Sequence, residues 1–237
     1  MTPSFYRALT GVLLTFSLCS QATGGGISLG QTRVIFSSAD KAQTLTVSNS
    51  GKRAYLIQTR VQKELNDTGS APFIVTPPLF SLQGNGRQML RLLPQNIALP
   101  ADRESLFYIT VSAIPAQSDP ITSSDRLSVG VRFIIKLFYR PQGLPRDLTS
   151  CSLMFRREPH VVRVVNPSAY YQTVGMLSFD ERHVESGQET SVIPPYGSTT
   201  LPVEGTVNQV DWRTLNDYGG LSDVCHQTGL PSTENAP

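Results

Sequence analysis

Apolar and polar residues alternate along Thr44-Leu45-Thr46-Val47-Ser48 and again along Leu90-Arg91-Leu92. That period of two predicts half-buried β-strands. Phe107-Tyr108-Ile109-Thr110-Val111 is rich in aromatic and β-branched residues, which suit strands. Val161 to Val165 and Tyr170 to Met176 read the same way. Turn-forming clusters separate these runs: Asn49-Ser50-Gly51, Asp67-Thr68-Gly69, Gly84-Asn85-Gly86, Asn166-Pro167 and Pro194-Pro195-Tyr196-Gly197. No helical period of useful length interrupts them. Short strands with frequent turns predict an all-β sandwich or barrel architecture. Tyr139-Arg140-Pro141-Gln142-Gly143-Leu144-Pro145 reads as a connection stiffened by two prolines. It divides the chain into two pieces, each near the size of an immunoglobulin-like sandwich.

One predicted strand is unusual. From Leu127 to Tyr139 every odd position is apolar or aromatic: Leu127, Val129, Val131, Phe133, Ile135, Leu137 and Tyr139. The even positions begin small or polar (Ser128, Gly130, Arg132) and then become mixed (Ile134, Lys136, Phe138, Arg140). Thirteen extended residues reach roughly 40 Å at ~3.3 Å per residue. Most strands are about half as long. The C-terminal half, apolar on both faces, suits burial in its own domain. The N-terminal half has one apolar face and no evident core to cover, a pattern that invites pairing with another chain. An ordinary long core strand has the same periodicity.

Composition narrows the picture. The 237 residues carry 20 Lys plus Arg against 18 Asp plus Glu, a formal charge of +2 with no basic block. That disfavours an electrostatic grip on nucleic acid or an anionic membrane surface. No apolar run reaches the ~18 residues of a membrane span, so membrane insertion is not expected. Arg7 precedes a mostly apolar stretch from Ala8 to Leu18, and Ser20-Gln21-Ala22 supplies small residues where a signal peptidase reads. Residues 1–22 therefore read as a signal peptide, with cleavage as late as residue 25 an alternative. Export removes Cys19 and leaves Cys151 and Cys225. An even count in an oxidising compartment points to one disulfide, two buried thiols being the alternative.

Six segments together resemble the periplasmic chaperones that assemble pili with an outer-membrane usher, the PapD-like family. They are Thr32-Arg33-Val34-Ile35-Phe36, Thr76-Pro77-Pro78, Asp102-Arg103-Glu104-Ser105-Leu106-Phe107-Tyr108, Lys136-Leu137-Phe138-Tyr139-Arg140-Pro141, Asn166-Pro167-Ser168-Ala169-Tyr170-Tyr171 and Asn216-Asp217-Tyr218-Gly219-Gly220. They occur in the family's order along nearly the whole exported chain. The resemblance implies two immunoglobulin-like β-sandwich domains at an angle with a cleft between them. The expected boundaries are 26–141 for the N-terminal domain, 142–146 for the linker and 147–237 for the C-terminal domain. It also implies a periplasmic location, with pilus subunits and the usher as partners.

In that family the chaperone lends an edge strand to a subunit whose own sandwich lacks one. Leu127, Val129 and Val131 fall on the lending strand, and Phe133 lies at the edge of the contact. The family holds the subunit's C-terminal carboxylate with one Arg and one Lys, and the matching residues are Arg33 and Lys136. A carboxylate accepts charge-assisted hydrogen bonds from both, and partial desolvation strengthens them. Glu104, Arg140 and Asp217 match an acidic–basic–acidic cluster that links the family's two domains. Arg60 departs from the pattern, standing where an aromatic residue is expected. The eleven residues between Pro115 and Leu127 resemble the family's short-loop branch, which implies subunits of rod-like pili.

Catalysis finds little support. His160, His183 and His226 lie in no nucleophile turn and no His-Glu-x-x-His pattern. No phosphate loop and no metal-ligand spacing is present, so no cofactor is expected. An exported β-rich adhesin or structural pilus subunit is the alternative. Two domain-sized halves and the Arg33/Lys136 pair favour the chaperone.

Overall fold

The computed structural model describes residues 26–65, 69, 71–95, 98–116, 129–145, 151–185, 187 and 191–232. The expected signal peptide and Leu127 lie outside the described residues. Among those described, every regular element is a strand. The first nine are β1 (Ile27–Leu29), β2 (Arg33–Ser37), β3 (Gln43–Asn49), β4 (Tyr55–Gln62), β5 (Phe73–Thr76), β6 (Leu79–Leu82), β7 (Arg87–Pro94), β8 (Ser105–Pro115) and β9 (Val131–Arg140). They form two sheets, ordered β1-β3-β7-β5 and β2-β9-β8-β4-β6. The chain changes sheet at each connection from β1 to β8, one of them at Pro77-Pro78 between β5 and β6. Proline has no N–H to give to a ladder, so that crossing falls where the chain must leave one. The Thr76–Pro77 bond is cis, and Thr59 binds both proline carbonyls, through its N–H to Pro78 and its hydroxyl to Pro77.

The second half contains β10 (Met154–Glu158), β11 (Val161–Val165), β12 (Gln172–Phe179), β13 (Arg182–His183), β14 (Val192–Ile193), β15 (Ser198–Pro202), β16 (Gln209–Thr214) and β17 (Cys225–Thr228). These form a β10-β11-β15 sheet and a β13-β12-β16-β17 sheet, with β14 beside β12. Each half has its own apolar core. Phe36, Leu45, Ile57, Leu90, Ile109 and Leu137 are fully buried in the first, and Phe155, Val162, Ile193 and Val210 in the second. Each such side chain contributes about 1.5–3 kcal/mol of transfer free energy. Phe73 centres the first core, with its ring 5.2 Å from Phe36 and 5.3 Å from Phe107. The Phe155 and Trp212 rings meet in the second, tilted by 51° with centres 4.7 Å apart.

The expected strands recur, with shifted ends. The run beginning at Tyr170 becomes a strand only at Gln172, because Asn166 Nδ2 ties down the Tyr170 carbonyl at 2.7 Å. The long predicted strand is regular over the ten residues of β9, not thirteen. Its ladder with β8 ends at Ala113↔Val131, so Val129 and Gly130 extend past the pairing. At its other end β9 includes Tyr139 and Arg140, so the proline-rich connection starts later than Tyr139.

Cys151 and Cys225 form a disulfide with a Cα–Cα distance of 5.4 Å. It joins the start of the second half to its last strand and closes a loop of 74 positions. Loop-closure entropy predicts that replacing both cysteines with serine lowers stability by about 2–4 kcal/mol. Urea unfolding followed by Trp212 fluorescence reads that loss directly, since the ring is buried in the same core as Cys225.

Candidate functional site

β9 is paired unequally on its two sides. On one side it runs antiparallel to β8 over its whole length bar the last residue, from Ala113↔Val131 to Ser105↔Tyr139. On the other side it pairs in parallel with β2, only from Arg33↔Lys136 to Ser37↔Arg140. Residues Val131 to Ile135 therefore present one open backbone edge to the space in front of Arg33. Val129 is 66% exposed and Val131 48% exposed. Phe133 is half-buried against the first core, while Ile135 and Leu137 lie inside it. The odd face thus passes from solvent into core along one strand.

Arg33 and Lys136 stand side by side where the β2 lane begins. The Arg33 guanidinium lies 5.7 Å from the centre of the Phe138 ring, and its Nη1 donates to the Leu215 carbonyl at 3.4 Å. Its Nε is buried and has no hydrogen-bond partner. Burial pulls the Arg33 pKa down, against the opposing charges of Asp217 and Glu104. Burial also lowers the Lys136 pKa, and the Arg33 charge lowers it further. Neither cation forms an ion pair among the described residues. Two partly desolvated, mutually repelling cations form a site that an anion relieves.

The even face of β9 borders the space between the halves. Tyr108, Ile134 and Lys136 line a cavity of about 1020 Å³ opposite Tyr171, Val192 and Pro194. Ile134 is 45% exposed there. Sequence reasoning grouped it with a stretch buried on both faces and so missed it. Its position among mixed even residues carried the only signal.

The predicted interdomain cluster is assembled. Arg140 Nε donates to Glu104 at 2.7 Å, and its two terminal nitrogens make a bidentate pair with Asp217 at 2.8 Å each. Glu104 is almost fully buried and also accepts from the Tyr171 N–H at 2.9 Å. The Glu104 N–H donates to the Ala169 carbonyl. Burial pushes the Glu104 carboxyl above its ordinary range against the pull of Arg140. Burial works against the Arg140 charge too, but Asp217 and Glu104 outweigh it and raise the net value. Beyond Asp217 the turn closes on the first half. Gly219 has φ +83°, and a Cβ there would meet Thr32 Oγ1 at 2.3 Å. Glycine is thus required both by the backbone and by the contact. Arg60, the expected aromatic position, is exposed on β4.

Two immunoglobulin-like sandwiches, one of them with a strand edge open beside a cationic pair, define the class of protein. Residues 26–145 match the family described as "Pili and flagellar-assembly chaperone, PapD N-terminal domain", and residues 150–226 match "Pili assembly chaperone PapD, C-terminal domain". The chain belongs to this family of pili assembly chaperones. Chaperone protein FocC of Escherichia coli is 38% identical over 204 residues, covering 84% of this chain and 88% of that protein. Chaperone protein FimC of Escherichia coli strain K12 is 37% identical over 221 residues, covering 90% and 89%. A chain in the structure of Salmonella enterica SafA pilin in complex with the SafB chaperone superposes with a TM-score of 0.76. It is 29% identical and covers 86% of this chain and 96% of its own length. The E. coli chaperone DraB has a TM-score of 0.73 at 32% identity, covering 87% and 97%.

The two carboxylates on Arg140 differ in burial, with side-chain exposure of 2% for Glu104 and 44% for Asp217. Arg140→Ala strands a buried carboxylate and is expected to cost about 3–5 kcal/mol. Asp217→Asn removes a solvent-screened partner and is expected to cost under ~1 kcal/mol. Chemical denaturation of both variants checks that order.

Proposed function

We propose that this protein is a periplasmic chaperone that binds, folds and caps pilus subunits by donor-strand complementation and hands them to an outer-membrane usher. The observation that carries the reading is the half-open edge of β9 ending at Arg33 and Lys136. An extended segment that hydrogen-bonds to Val131–Ile135 satisfies backbone groups on both chains, and alternate side chains fill pockets in the partner. Val129 and Val131 are the exposed apolar side chains available for this, with Leu127 assigned the same part from its spacing. Phe133 offers only the portion its own core leaves uncovered. A SafA–SafB complex is known for a structural neighbour, a chaperone holding a pilin.

The direction of the captured segment follows from the geometry. Its terminal carboxylate sits at Arg33 and Lys136, and the preceding residues lie toward Val131. The segment therefore runs parallel to β9, in the lane that β2 occupies from Arg33 onward. The anchor sets register, because fixing one end decides which side chain meets which pocket. Glu104, Arg140 and Asp217 hold the angle between the domains, proposed to span 26–141 and 147–237 about a linker at 142–146. Export through the N-terminal signal places this chemistry in the periplasm. Among the described residues, no helix is long and apolar enough to cross a membrane.

Lys136→Ala and Arg33→Ala are expected to stay folded and to lose at least tenfold in subunit affinity, since each removes a charge-assisted hydrogen bond of about 1.5–3 kcal/mol. Val129→Asp is expected to weaken capture without unfolding the domain. Co-purification of a co-expressed subunit, with circular dichroism of the free variants, measures both effects. Normal capture by both anchor variants sinks the anchor assignment.

The lowered Lys136 pKa adds a pH dependence. The ammonium is the binding form, so capture weakens as pH rises, and the loss begins below the usual lysine range. Lys136→Arg keeps its charge to higher pH and is expected to shift that loss further into the alkaline range. Titration of affinity against pH for the two proteins gives the comparison.

A further inference from the structure

The cleft-facing side of the β2-β9-β8-β4-β6 sheet is charged in one sense. Alternation and register place the even residues of β9, β8 and β4 on that side, together with Arg33 of β2 and Leu79 and Ser81 of β6. None of the residues these five strands put there is an acid. Four are cations other than Arg140: Arg33, Lys136, Arg132 and Arg60. Arg33 and Lys136 have the part already described. Arg132 is different. It lies on the open stretch of β9, is exposed, borders the cleft cavity, and has no ion-pair partner among the described residues.

We infer that Arg132 selects for an acidic side chain on the captured subunit, two or three residues before its C-terminal one. The inference rests on the proposed capture of a subunit's terminal strand. In parallel pairing, residues level with one another project to the same face. Arg132 precedes Lys136 by four residues, ~13 Å at ~3.3 Å per residue. Arg33 itself stands level with Lys136 in that lane, so an incoming segment whose carboxylate reaches both cations ends level with Ile134 or Ile135 and places the second or third residue before its last level with Arg132, on the same side. The neighbour of Arg132 on the other flank is Ser112, which is neutral and short. The incoming residue therefore meets a guanidinium that no described residue pairs with. Acidic residues are favoured there, amides tolerated and lysine or arginine disfavoured. Ile134, between the two cations, takes an apolar residue two positions further on, at or next to the end. The cleft face thus reads a pattern separate from the apolar residues that pair with the odd face.

Ten-residue peptides with a free C-terminus test this. They form two sets of three, with Glu, Gln or Lys at the second or at the third residue before the last, and are otherwise identical; the ranking is expected in one set. Binding to the full chain is measured by fluorescence polarisation. Cross-strand charge pairs predict that Glu binds up to about fivefold tighter than Gln, with Lys weakest. Arg132→Glu reverses the order. Arg60→Glu makes the same charge change on the same face, two strands from the open edge, and leaves the order intact. Equal binding of the three peptides in both sets, with amidation of the C-terminus abolishing all of it, overturns the selection and keeps the anchor. Amidated peptides that bind as well as free acids, or free acids that do not bind at all, overturn the capture reading itself. Loss of the ranking in Arg60→Glu, or its disappearance as the protein is concentrated and a second copy fills the edge, also overturns the role of Arg132.

Discussion

A backbone that carries donors and acceptors on both edges, but is paired on only one, is the constraint around which this molecule is organised. β9 meets it over Val131–Ile135, where β8 takes one edge and nothing in the sheet takes the other. Unpaired edges template indiscriminate pairing. The surroundings of this one narrow the choice. The edge ends at two partly buried cations, which in the proposed capture favour a chain end with a carboxylate over the middle of a chain. Val129 and Val131 lie beyond the domain's own core, so their burial depends on the partner. The same strand then dives inward at Ile135 and Leu137, which anchors the exposed part to a rigid base.

That strand also joins the two domains. Lys136 and Arg140 share its cleft face, four residues apart. Arg140 ties Glu104 of the first domain to Asp217 of the second, and Glu104 in turn accepts from the Tyr171 N–H. A buried carboxylate costs several kcal/mol to desolvate, and its pairing with Arg140 offsets part of that. Such a network is a weak source of stability and a strong source of geometry. Its value here is positional: the proposed anchor and the interdomain clamp ride on one strand, so the domain angle and the depth of the anchor cannot vary independently.

Much of this was legible from residue order. The odd apolar positions from Val129 to Leu137 announced both a strand and its misfit with an ordinary core. The acidic–basic–acidic trio was recognisable only through resemblance, because Glu104, Arg140 and Asp217 are far apart in the chain and carry no local pattern. Ile134 was misgrouped because alternation says which residues share a face and not what stands opposite it. The wall opposite is Tyr171, Val192 and Pro194, contributed by the other domain. The start of β12 was placed two residues early for a related reason: Asn166 claims the Tyr170 carbonyl through a side-chain contact that propensity does not encode.

The order of residues by itself determined the class of fold and the extended strand, because period-two alternation and turn residues are local properties of the chain; Arg33 and Lys136 stood out only through resemblance. Tertiary structure alone decided where β2 stops covering β9, and so which residues of that strand remain open. It also decided that Arg33 and Lys136 are neighbours and that Arg132 borders a cleft with no ion-pair partner among the described residues. Those facts depend on pairing between segments about a hundred residues apart, and pairing register is settled by the packing of whole sheets rather than by any short stretch of sequence.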